Sequence, residues 1–359
     1  MSEQKRASKT PVTRAIYVRN PSRAHKVLPL LEGIPVELIK SWRDLLNLKR
    51  APDVGTVVLV DNFGRWGVLG VLAAFSLRAP LAIRLRGEYF REERERAVVR
   101  TGLFRWPRYL GNILLARLCI HRSRMVVCNS RYLARAMEPY LSGKLVRVVH
   151  NPYTEPGKTL VRSSVPQVPG SGFCLLTITN MNLYSKVQPT VEAINEWMPL
   201  SLWEELDVHW VVCGSGYHKE RFGALVREKG LEDRVHLLGR VEDVSGLYEW
   251  CDVLVHLTRM DAFPNVPMEA MLYEKPVITN SDSCGTREQV RDGENGRIVD
   301  AASFVSALKD YAEDPALRKR HGRAGREFVR EHFSVEAQRP AMKRALNELL
   351  LADRGEGVA

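Results

Sequence analysis

The chain has 359 residues, of which 45% are apolar, which is enough for two domains of roughly 150 residues, each with its own core. The formal net charge of +11 indicates an anionic partner such as phosphate, nucleic acid or a membrane surface, or an ordinary solvated surface. The six cysteines form no CxxC pair and the nine histidines lack ligand spacing, which argues against a zinc site and for small core thiols in a reducing compartment.

The first residues of the chain and its longest apolar stretch indicate where the protein is located. Residues 1–13 are polar and charged and lack the apolar core of a signal peptide. The longest apolar stretch, Gly67 to Leu77, is too short to span a bilayer. We therefore expect a disordered tail over residues 1–13 and a cytoplasmic protein, which would lie at the inner membrane face if it contacts a membrane.

The first half of the chain alternates short β-branched runs with helical patterns. Buried strands are predicted at Ala15–Val18, Thr56–Val60, Leu81–Arg84, Met125–Cys128 and Leu145–Val149. Strands that alternate with helices form parallel sheets covered on both faces, so we expect a Rossmann-like domain over residues 14–151. A break follows, because four prolines and two glycines lie between Asn151 and Gly172. This composition predicts a linker over residues 152–171.

The second half, residues 172–333, repeats the alternation. Strands are predicted at Phe173–Thr179, Val208–Cys213, Val235–Leu238, Val253–His256, Val277–Thr279 and Arg297–Val299. Helices are predicted at Pro189–Met198, Lys219–Lys229, Val244–Trp250, Val266–Tyr273 and, from a capping-box spacing, Thr286–Arg291. Residues 334–359 form a charged helical tail, expected to cross toward the N-terminal domain. The fold class is therefore α/β, with two Rossmann-like domains whose parallel sheets face each other across a ligand-binding cleft.

The segment from Asp261 to Met271 places two acids around a predicted helix start. Asp261 follows a strand, and Asn265 is a favourable N-cap residue. The free amides of the first turn, from Val266 onward, can bind phosphate or hydroxyl oxygens. Glu269 lies about one turn into the helix, where its carboxylate can accept hydrogen bonds from a ribose diol. The alternative is that both acids only interact with the helix dipole.

In this region the sequence resembles the retaining glycosyltransferases of family 4, which have the GT-B fold. Their hallmark is two acids separated by seven residues, followed by Ala-Met and a Lys-Pro-Val strand. The residues of this chain that are similar to this hallmark are Asp261, Glu269–Met271 and Lys275–Val277. Gly285–Glu288 and Asp292–Gly296 follow in the family's order. The resemblance implies transfer of a sugar from a nucleotide-diphosphate sugar, bound by the C-terminal domain, to an acceptor on the N-terminal domain.

The resemblance also implies roles for single residues. It makes Asp261 a catalytic contact of the donor sugar and Glu269 the ribose contact. Lys186 would stabilise the leaving diphosphate, or it is a solvated loop lysine. Donor binding would further involve residues of three loops: Asn265 and Val266, Gly214 and Gly216, and Arg240, which would lie near the nucleobase or be a solvated surface arginine.

The chain departs from the family at several positions. Asp261 stands where glutamate is usual, and Met181 stands near the place of a diphosphate-binding arginine. One phosphate charge is therefore unmatched or supplied from elsewhere. The run Arg19–Ser22 replaces a glycine-rich loop. The sequence contains no Asp-x-Asp metal motif, so we expect a metal-independent enzyme without a cofactor.

Two stretches of the N-terminal half are candidates for acceptor recognition. Arg86-Gly87 follows a strand where the family has His-Gly, so Arg86 could contact donor phosphates and Glu88 could accept the acceptor's proton; the alternative is a charged surface loop. From Val99 to Arg124, six arginines interleave with aromatic and leucine residues and no acid is present. This pattern suits a membrane surface or a lipid-linked acceptor, or a core helix with a solvated basic face.

The sequence also bears on other classes of protein. A dehydrogenase would need a third glycine after Gly214-Ser-Gly216, and that glycine is absent. A GT-B epimerase or phosphorylase, or a catalytically degenerate GT-B partner subunit, remains as an alternative. The expected partners are a nucleotide sugar, a glycan or lipid-linked sugar acceptor and an anionic membrane surface. Nucleic acid is not expected, because the basic residues accompany no recognised motif.

Overall fold

The computed structural model describes residues 12–19, 26–48, 55–99, 105–153, 172–282 and 284–355. The chain divides into two compact units, one formed by Met1–Pro152 with Phe333–Ala359 and the other by Tyr153–His332. Most of the predicted N-terminal tail, residues 20–22 of the first loop and residues 154–171 of the predicted linker lie outside the described residues.

The N-terminal unit contains a six-stranded parallel sheet in the order β2-β1-β3-β4-β5-β6. Its strands are β1 (Arg14–Val18), β2 (Val36–Ile39), β3 (Thr56–Asp61), β4 (Leu81–Leu85), β5 (Met125–Cys128) and β6 (Leu145–Val148). The five predicted strands are present. The edge strand β2 was not predicted, because its four residues are mostly half-buried and form no long apolar run.

Five helices in the described residues of the first half connect these strands. They are α1 (Trp42–Leu46), α2 (Arg65–Leu77), α3 (Tyr89–Val99), α4 (Arg105–Arg122) and α5 (Arg131–Met137), with 3-10 helices at Leu28–Leu31 and Glu138–Tyr140. Helix α2 packs on β3 and against α4. None of the described helices is long and apolar enough to cross a membrane.

The C-terminal unit contains a second six-stranded parallel sheet, in the order β12-β11-β10-β7-β8-β9. Its strands are β7 (Phe173–Ile178), β8 (Val208–Cys213), β9 (Val235–Gly239), β10 (Val253–His256), β11 (Val277–Asn280) and β12 (Gly296–Val299). All six match predicted strands. The core around them contains Trp203, Trp210 and Phe304, all fully buried.

The helices of this unit differ from the sequence expectation at three places, one of which is the helix Leu200–Glu205, which was not predicted. They are α6 (Tyr184–Glu192), α7 (Leu200–Glu205), α8 (Lys219–Glu228), α9 (Ser245–Trp250), α10 (Val266–Leu272), α11 (Ala301–Glu313) and α12 (Pro315–Phe333). Helix α6 begins five residues before the predicted start at Pro189 and continues into a π-helical segment, Ala193–Trp197. The predicted helix Thr286–Arg291 is wrong: a 3-10 helix, Gly285–Glu288, occurs there.

Helix α13 (Val335–Asp353) belongs to the N-terminal unit, although it is the last element of the chain. Met342, Leu346 and Leu349 are fully buried and join the core cluster that contains Tyr17 and Leu59 of the sheet. Burial of each such side chain contributes about 1.5–3 kcal/mol. The last helix is therefore an integral layer of this unit.

Candidate active site

The C-terminal unit brings Lys186 and Asp261 into direct contact. Lys186 lies in the first turn of α6, and Asp261 lies in the loop between β10 and α10. Lys186 Nζ donates a hydrogen bond of 2.9 Å to Asp261 Oδ1, and both side chains are about one-fifth exposed. A partly buried pair of this kind retains more of its electrostatic attraction than a solvated surface pair, because less water screens it. The two predicted catalytic residues therefore share one site.

Hydrogen bonds fix the backbone of the loop that carries Asp261. Asn280, the last residue of β11, accepts a bond of 2.8 Å from the amide of Thr258. The amide of Gly285 donates to the carbonyl oxygen of Asp261 at 2.8 Å. A Cβ on Gly285 would lie 1.6 Å from the carbonyl oxygen of Ala262, so only glycine permits this close approach. The Gly285–Glu288 motif thus supports the loop.

His256, the last residue of β10, lies behind this pair and was not predicted. Its Nε2 lies 3.8 Å from Asp261 Oδ2, and the side chain is buried. Burial lowers the pKa of His256 to about 4; Asp261 opposes this effect and Lys186 adds to it. His256 is therefore neutral at pH 7, and Lys186 is the cationic partner of Asp261.

Glu269 is held by a buried tyrosine. It lies in the first turn of α10, half-buried, and its Oε2 accepts a hydrogen bond of 2.9 Å from the hydroxyl of Tyr248 on α9. Burial, followed by the charge of Glu269, raises the pKa of Tyr248 well above its usual range. The phenol therefore remains a proton donor and orients the carboxylate. Tyr248 was not predicted as a site residue.

The predicted cap at Asn265 requires a correction. Asn265 occupies the N-cap position, but its backbone is in the helical region and its side chain makes no capping hydrogen bond. An N-cap side chain reaches the first-turn amides only from an extended backbone, which explains the difference. Its Oδ1 is buried and accepts no hydrogen bond. Gln289 instead donates to the carbonyl oxygen of Pro264 at 2.8 Å. Val266 is the first residue of the seven-residue α10.

Gly214 and Gly216 allow two loops to touch. Both have φ of +150°, and a Cβ on Gly216 would lie 2.3 Å from the backbone of Met181. The amide of Met181 donates to the carbonyl oxygen of Ser215 at 3.2 Å, which joins the loop after β8 to the loop after β7. Met181 itself is fully buried in the core. The position near the family's arginine is therefore apolar, and it adds no charge for a phosphate.

Arg240 is separate from these contacts. It directly follows Gly239, the last residue of β9, and its side chain is exposed. Among the described residues, no carboxylate pairs with it. A Cβ on Gly239 would lie 3.0 Å from Nζ of Lys219, so a second cation lies beside this turn.

In the N-terminal unit, Glu88 and Arg86 follow β4 as predicted. Each of them contacts its own set of side chains. Glu88 Oε1 accepts a hydrogen bond of 2.5 Å from the hydroxyl of Tyr132 and lies 3.6 Å from a guanidinium nitrogen of Arg91. Arg86 Nε lies 3.5 Å from Asp61 Oδ2. The two predicted residues are thus positioned by separate partners.

Asp61 is the centre of a buried cluster of charges that was not predicted. It is the last residue of β3 and pairs with Arg19 after β1 and with Arg84 of β4, at 3.2 Å in the latter case. Arg84 also donates to Oδ1 of Asn151 at 2.5 Å. Three arginines therefore surround one buried carboxylate at the carboxyl ends of β1, β3 and β4. Ligands bind at this edge of open α/β sheets.

The part of the chain that the structure describes contains no group of three or more histidine, cysteine, aspartate or glutamate side chains arranged to hold a metal ion. The six cysteines are buried free thiols, and burial raises the pKa of Cys119 to about 11.

Part of this chain is similar to known proteins. Residues 191–328 match the model of the family Glycosyl transferases group 1. The lipopolysaccharide core biosynthesis mannosyltransferase LpcC of Rhizobium leguminosarum bv. viciae is 32% identical over 134 residues, which are 36% of this chain and 38% of that protein. A Campylobacter jejuni enzyme, N-acetylgalactosamine-N,N'-diacetylbacillosaminyl-diphospho-undecaprenol 4-alpha-N-acetylgalactosaminyltransferase, is 28% identical over 140 residues, 38% of each chain. The chain thus matches well under half the length of these two relatives.

Similarity to solved structures extends over nearly the whole chain. The crystal structure of Anabaena HepE in complex with UDP-glucose has a TM-score of 0.66 and 17% identity, over 96% of this chain and 100% of that chain. The chain therefore has the GT-B fold, which confirms the predicted α/β class with two Rossmann-like units. The segment that matches the model of the family Glycosyl transferases group 1, residues 191–328, contains Asp261 and Glu269.

Proposed function

We propose that this protein is a retaining glycosyltransferase that moves a sugar from a nucleotide-diphosphate sugar to an acceptor hydroxyl without a metal ion. The observation that carries the proposal is the contact of 2.9 Å between Lys186 and Asp261. Asp261 lies in the loop before α10, the helix that carries Glu269, and Tyr248 of α9 orients the Glu269 carboxylate. HepE, which shares the fold, was crystallised with UDP-glucose, and LpcC is named a mannosyltransferase. The HepE complex supports a nucleotide sugar as the donor, and the name of LpcC supports transfer of a sugar.

The proposed chemistry involves four side chains. The bond between the anomeric carbon and the diphosphate oxygen breaks, and the electron pair leaves with the nucleotide diphosphate. Lys186 stabilises the negative charge that develops on this leaving group, and Asp261 holds the ammonium in place and contacts the donor sugar. Glu269 accepts hydrogen bonds from the ribose. The acceptor oxygen forms the new bond on the same face of the sugar, and Glu88 takes its proton.

A donor panel followed by product analysis tests the proposal. Nucleotide diphosphates and nucleotide sugars that bind should raise the unfolding temperature, since ligands of the native state stabilise it. NMR of the product should then show the anomeric configuration of the donor. An inverted product would reject retention. Donor isomerisation without an acceptor would indicate an epimerase, and sugar transfer to inorganic phosphate a phosphorylase. Binding without turnover across many acceptors would indicate a degenerate partner subunit. Loss of activity in EDTA would reject metal independence.

For the acceptor, we propose a lipid-linked sugar or glycan that is reached at an anionic membrane surface. Ten of the thirteen exposed large apolar side chains of the described residues lie on α1 to α4: Trp42, Leu46, Leu72, Phe75, Val98, Trp106, Leu110, Leu114, Leu115 and Leu118. Arg108 and Arg117 are exposed on α4 as well. The side chains of Arg100 and Arg105 lie outside the described residues. The Campylobacter jejuni relative is named for a diphospho-undecaprenol acceptor.

A further inference from the structure

A groove in the N-terminal unit lies at the edge of the sheet opposite to Arg86 and Glu88. It has a volume of about 1600 Å³ and is bordered by Leu81, Arg124 and Leu145, which lie at the amino ends of β4, β5 and β6. The strand β4 separates it from the loop that carries Arg86, and five residues of strand span about 16 Å. The groove is therefore distinct from the loop that carries Arg86 and Glu88. Its volume exceeds the roughly 300–1,000 Å³ of pockets for small ligands.

One wall of the groove is apolar and exposed. Trp42 and Leu46 of α1 and Leu72 and Phe75 of α2 border it, and Leu46 and Phe75 are 84% and 78% exposed. Exposed aromatic and aliphatic side chains clustered on neighbouring helices are unfavourable in water, and such clusters mark interaction sites. This wall fits an acyl chain.

The groove is also bordered by cations. Four cationic side chains, Arg78, Arg122, Arg124 and Lys144, and one acid, Asp353, border the groove. Among the described residues, none of these four cations has a carboxylate within ion-pair distance. Burial and then the neighbouring charge of Arg124 lower the pKa of Lys144, so an anion here would relieve a repulsion between cations.

Lys144 is held in a position to meet such an anion. Its ammonium donates to the carbonyl oxygens of His121 and Ser123, both at 2.8 Å. An ammonium has three protons, so one remains for a ligand. The side chain of Arg124 is anchored through the carbonyl oxygen of Ala352 at the end of α13. Fixed cations next to an exposed apolar wall match an amphiphile with an anionic head group.

We infer that this groove binds an anionic phospholipid of the membrane, with its phosphate between Arg122, Arg124 and Lys144 and an acyl chain against Phe75 and Leu72. The inference rests on the proposed membrane location of the acceptor. It adds a lipid site that takes no part in sugar transfer and would hold the N-terminal unit at the bilayer.

The test measures binding of monomeric dihexanoyl-phosphatidylglycerol to the full chain by calorimetry, without donor or acceptor. Dihexanoyl-phosphatidylcholine and glycerol 3-phosphate should bind at least tenfold more weakly, because the first lacks the net negative charge and the second lacks the acyl chains. Arg124→Gln with Lys144→Gln, and separately Phe75→Ser, should each weaken binding of the phosphatidylglycerol at least tenfold. Lys144→Arg keeps the charge and should retain binding.

The control variant is Leu200→Ser, which changes an exposed residue of α7 outside the groove. It should leave short-chain lipid binding unchanged, and donor binding should be unchanged in every variant. Equal affinity for phosphatidylglycerol in wild type and in the Arg124→Gln, Lys144→Gln variant would overturn the inference, as would absence of binding. Equally tight binding of glycerol 3-phosphate would show a site for a soluble phosphate instead. Failure of glycosyl transfer with intact lipid binding would overturn only the proposed function.

Discussion

Lys186 Nζ and Asp261 Oδ1 lie 2.9 Å apart, although 75 positions separate the two residues along the chain. If Lys186 stabilises the departing diphosphate, its charge acts mainly in the transition state. Lys186→Ala should therefore lower kcat by about a hundredfold and change KM by less than about threefold. Steady-state kinetics with the donor identified by the binding panel measure both quantities.

A remote ion pair of the same unit provides the control for Lys186. Lys309 and Glu205 pair at 2.6 Å on the surface, with 39% and 50% of their side chains exposed. Lys309→Ala removes the same charge and should leave kcat unchanged. If Lys186→Ala and Lys309→Ala have equal kcat, Lys186 has no role in the leaving-group step.

Tyr248 and Glu269 should act as a unit in donor binding. Glu269→Ala should weaken nucleotide-sugar binding by about 1–3 kcal/mol, because charged hydrogen bonds to the ribose are lost. Tyr248→Phe keeps the carboxylate but frees it to rotate, so the loss should be roughly 1 kcal/mol, about fivefold in Kd. Tyr273, whose ring stacks on Tyr248 at 5.4 Å, is the control. Calorimetry that gave Tyr248→Phe and Tyr273→Phe the same Kd as wild type would reject the orienting role of the hydroxyl.

His256 should make the protein less stable in mild acid. Its pKa is about 4 in the folded protein, whereas an unfolded histidine has a pKa near 6.5. Between these two values the unfolded chain binds more protons, so the free energy of unfolding falls as the pH decreases from 6.5 to 4. The contribution of this group is about 3 kcal/mol and is fully present above pH 6.5.

Urea unfolding at several pH values can isolate this contribution. Burial also lowers the pKa of His209, His236 and His321, and these residues act in the same direction. The quantity of interest is therefore the difference between wild type and His256→Asn, which should shrink toward pH 4. Parallel curves for the two proteins over this range would contradict the prediction.

The cluster around Asp61 should be a large contributor to stability. Asp61→Asn removes the counter-charge of the buried Arg84, and loss of one partner of a buried pair costs about 3–5 kcal/mol. Glu37→Gln breaks the partly exposed pair with Arg14 and should cost less than about 1 kcal/mol. Urea midpoints of the two variants provide the comparison, and equal midpoints would show that the cluster is dispensable.

Much of the fold could be predicted because local sequence patterns determine most of its strands. Short runs rich in apolar residues, such as Met125–Cys128, become buried strands, and eleven of the twelve strands in the described residues follow from such runs. The short edge strand Val36–Ile39 has no such run and was missed. Helix α6 was misplaced because Pro189 suggests a helix start, whereas the helix begins earlier and tolerates the proline within it.

The site was only partly predictable, for a different physical reason. Asp261 and Glu269 occur within one short motif, so the sequence points to them directly. Arg19 and Asp61 lie on separate elements and become neighbours only when β1 pairs with β3, and Tyr248 contacts Glu269 only because α9 packs near α10. Strand order and register are long-range properties, so the partners of these residues could not be assigned from spacing. A polar residue at the carboxyl end of a buried strand, such as Asp61 or His256, is the signal that could have indicated them.

Membrane association through α4 should depend on charge and salt. Arg108 and Arg117 lie among exposed leucines of α4, and each cation near an anionic surface contributes about 1 kcal/mol. Replacing both with glutamate should abolish flotation with phosphatidylglycerol vesicles while leaving donor binding intact. The matched control is Arg320→Glu with Arg323→Glu, two exposed residues of α12, which changes the net charge equally and should still float. High salt should release the wild-type protein, because the Debye length shortens to about 3 Å at 1 M. If the wild type does not float at low salt, or both double variants lose binding equally, α4 is not the membrane-binding helix and the acceptor is reached in solution.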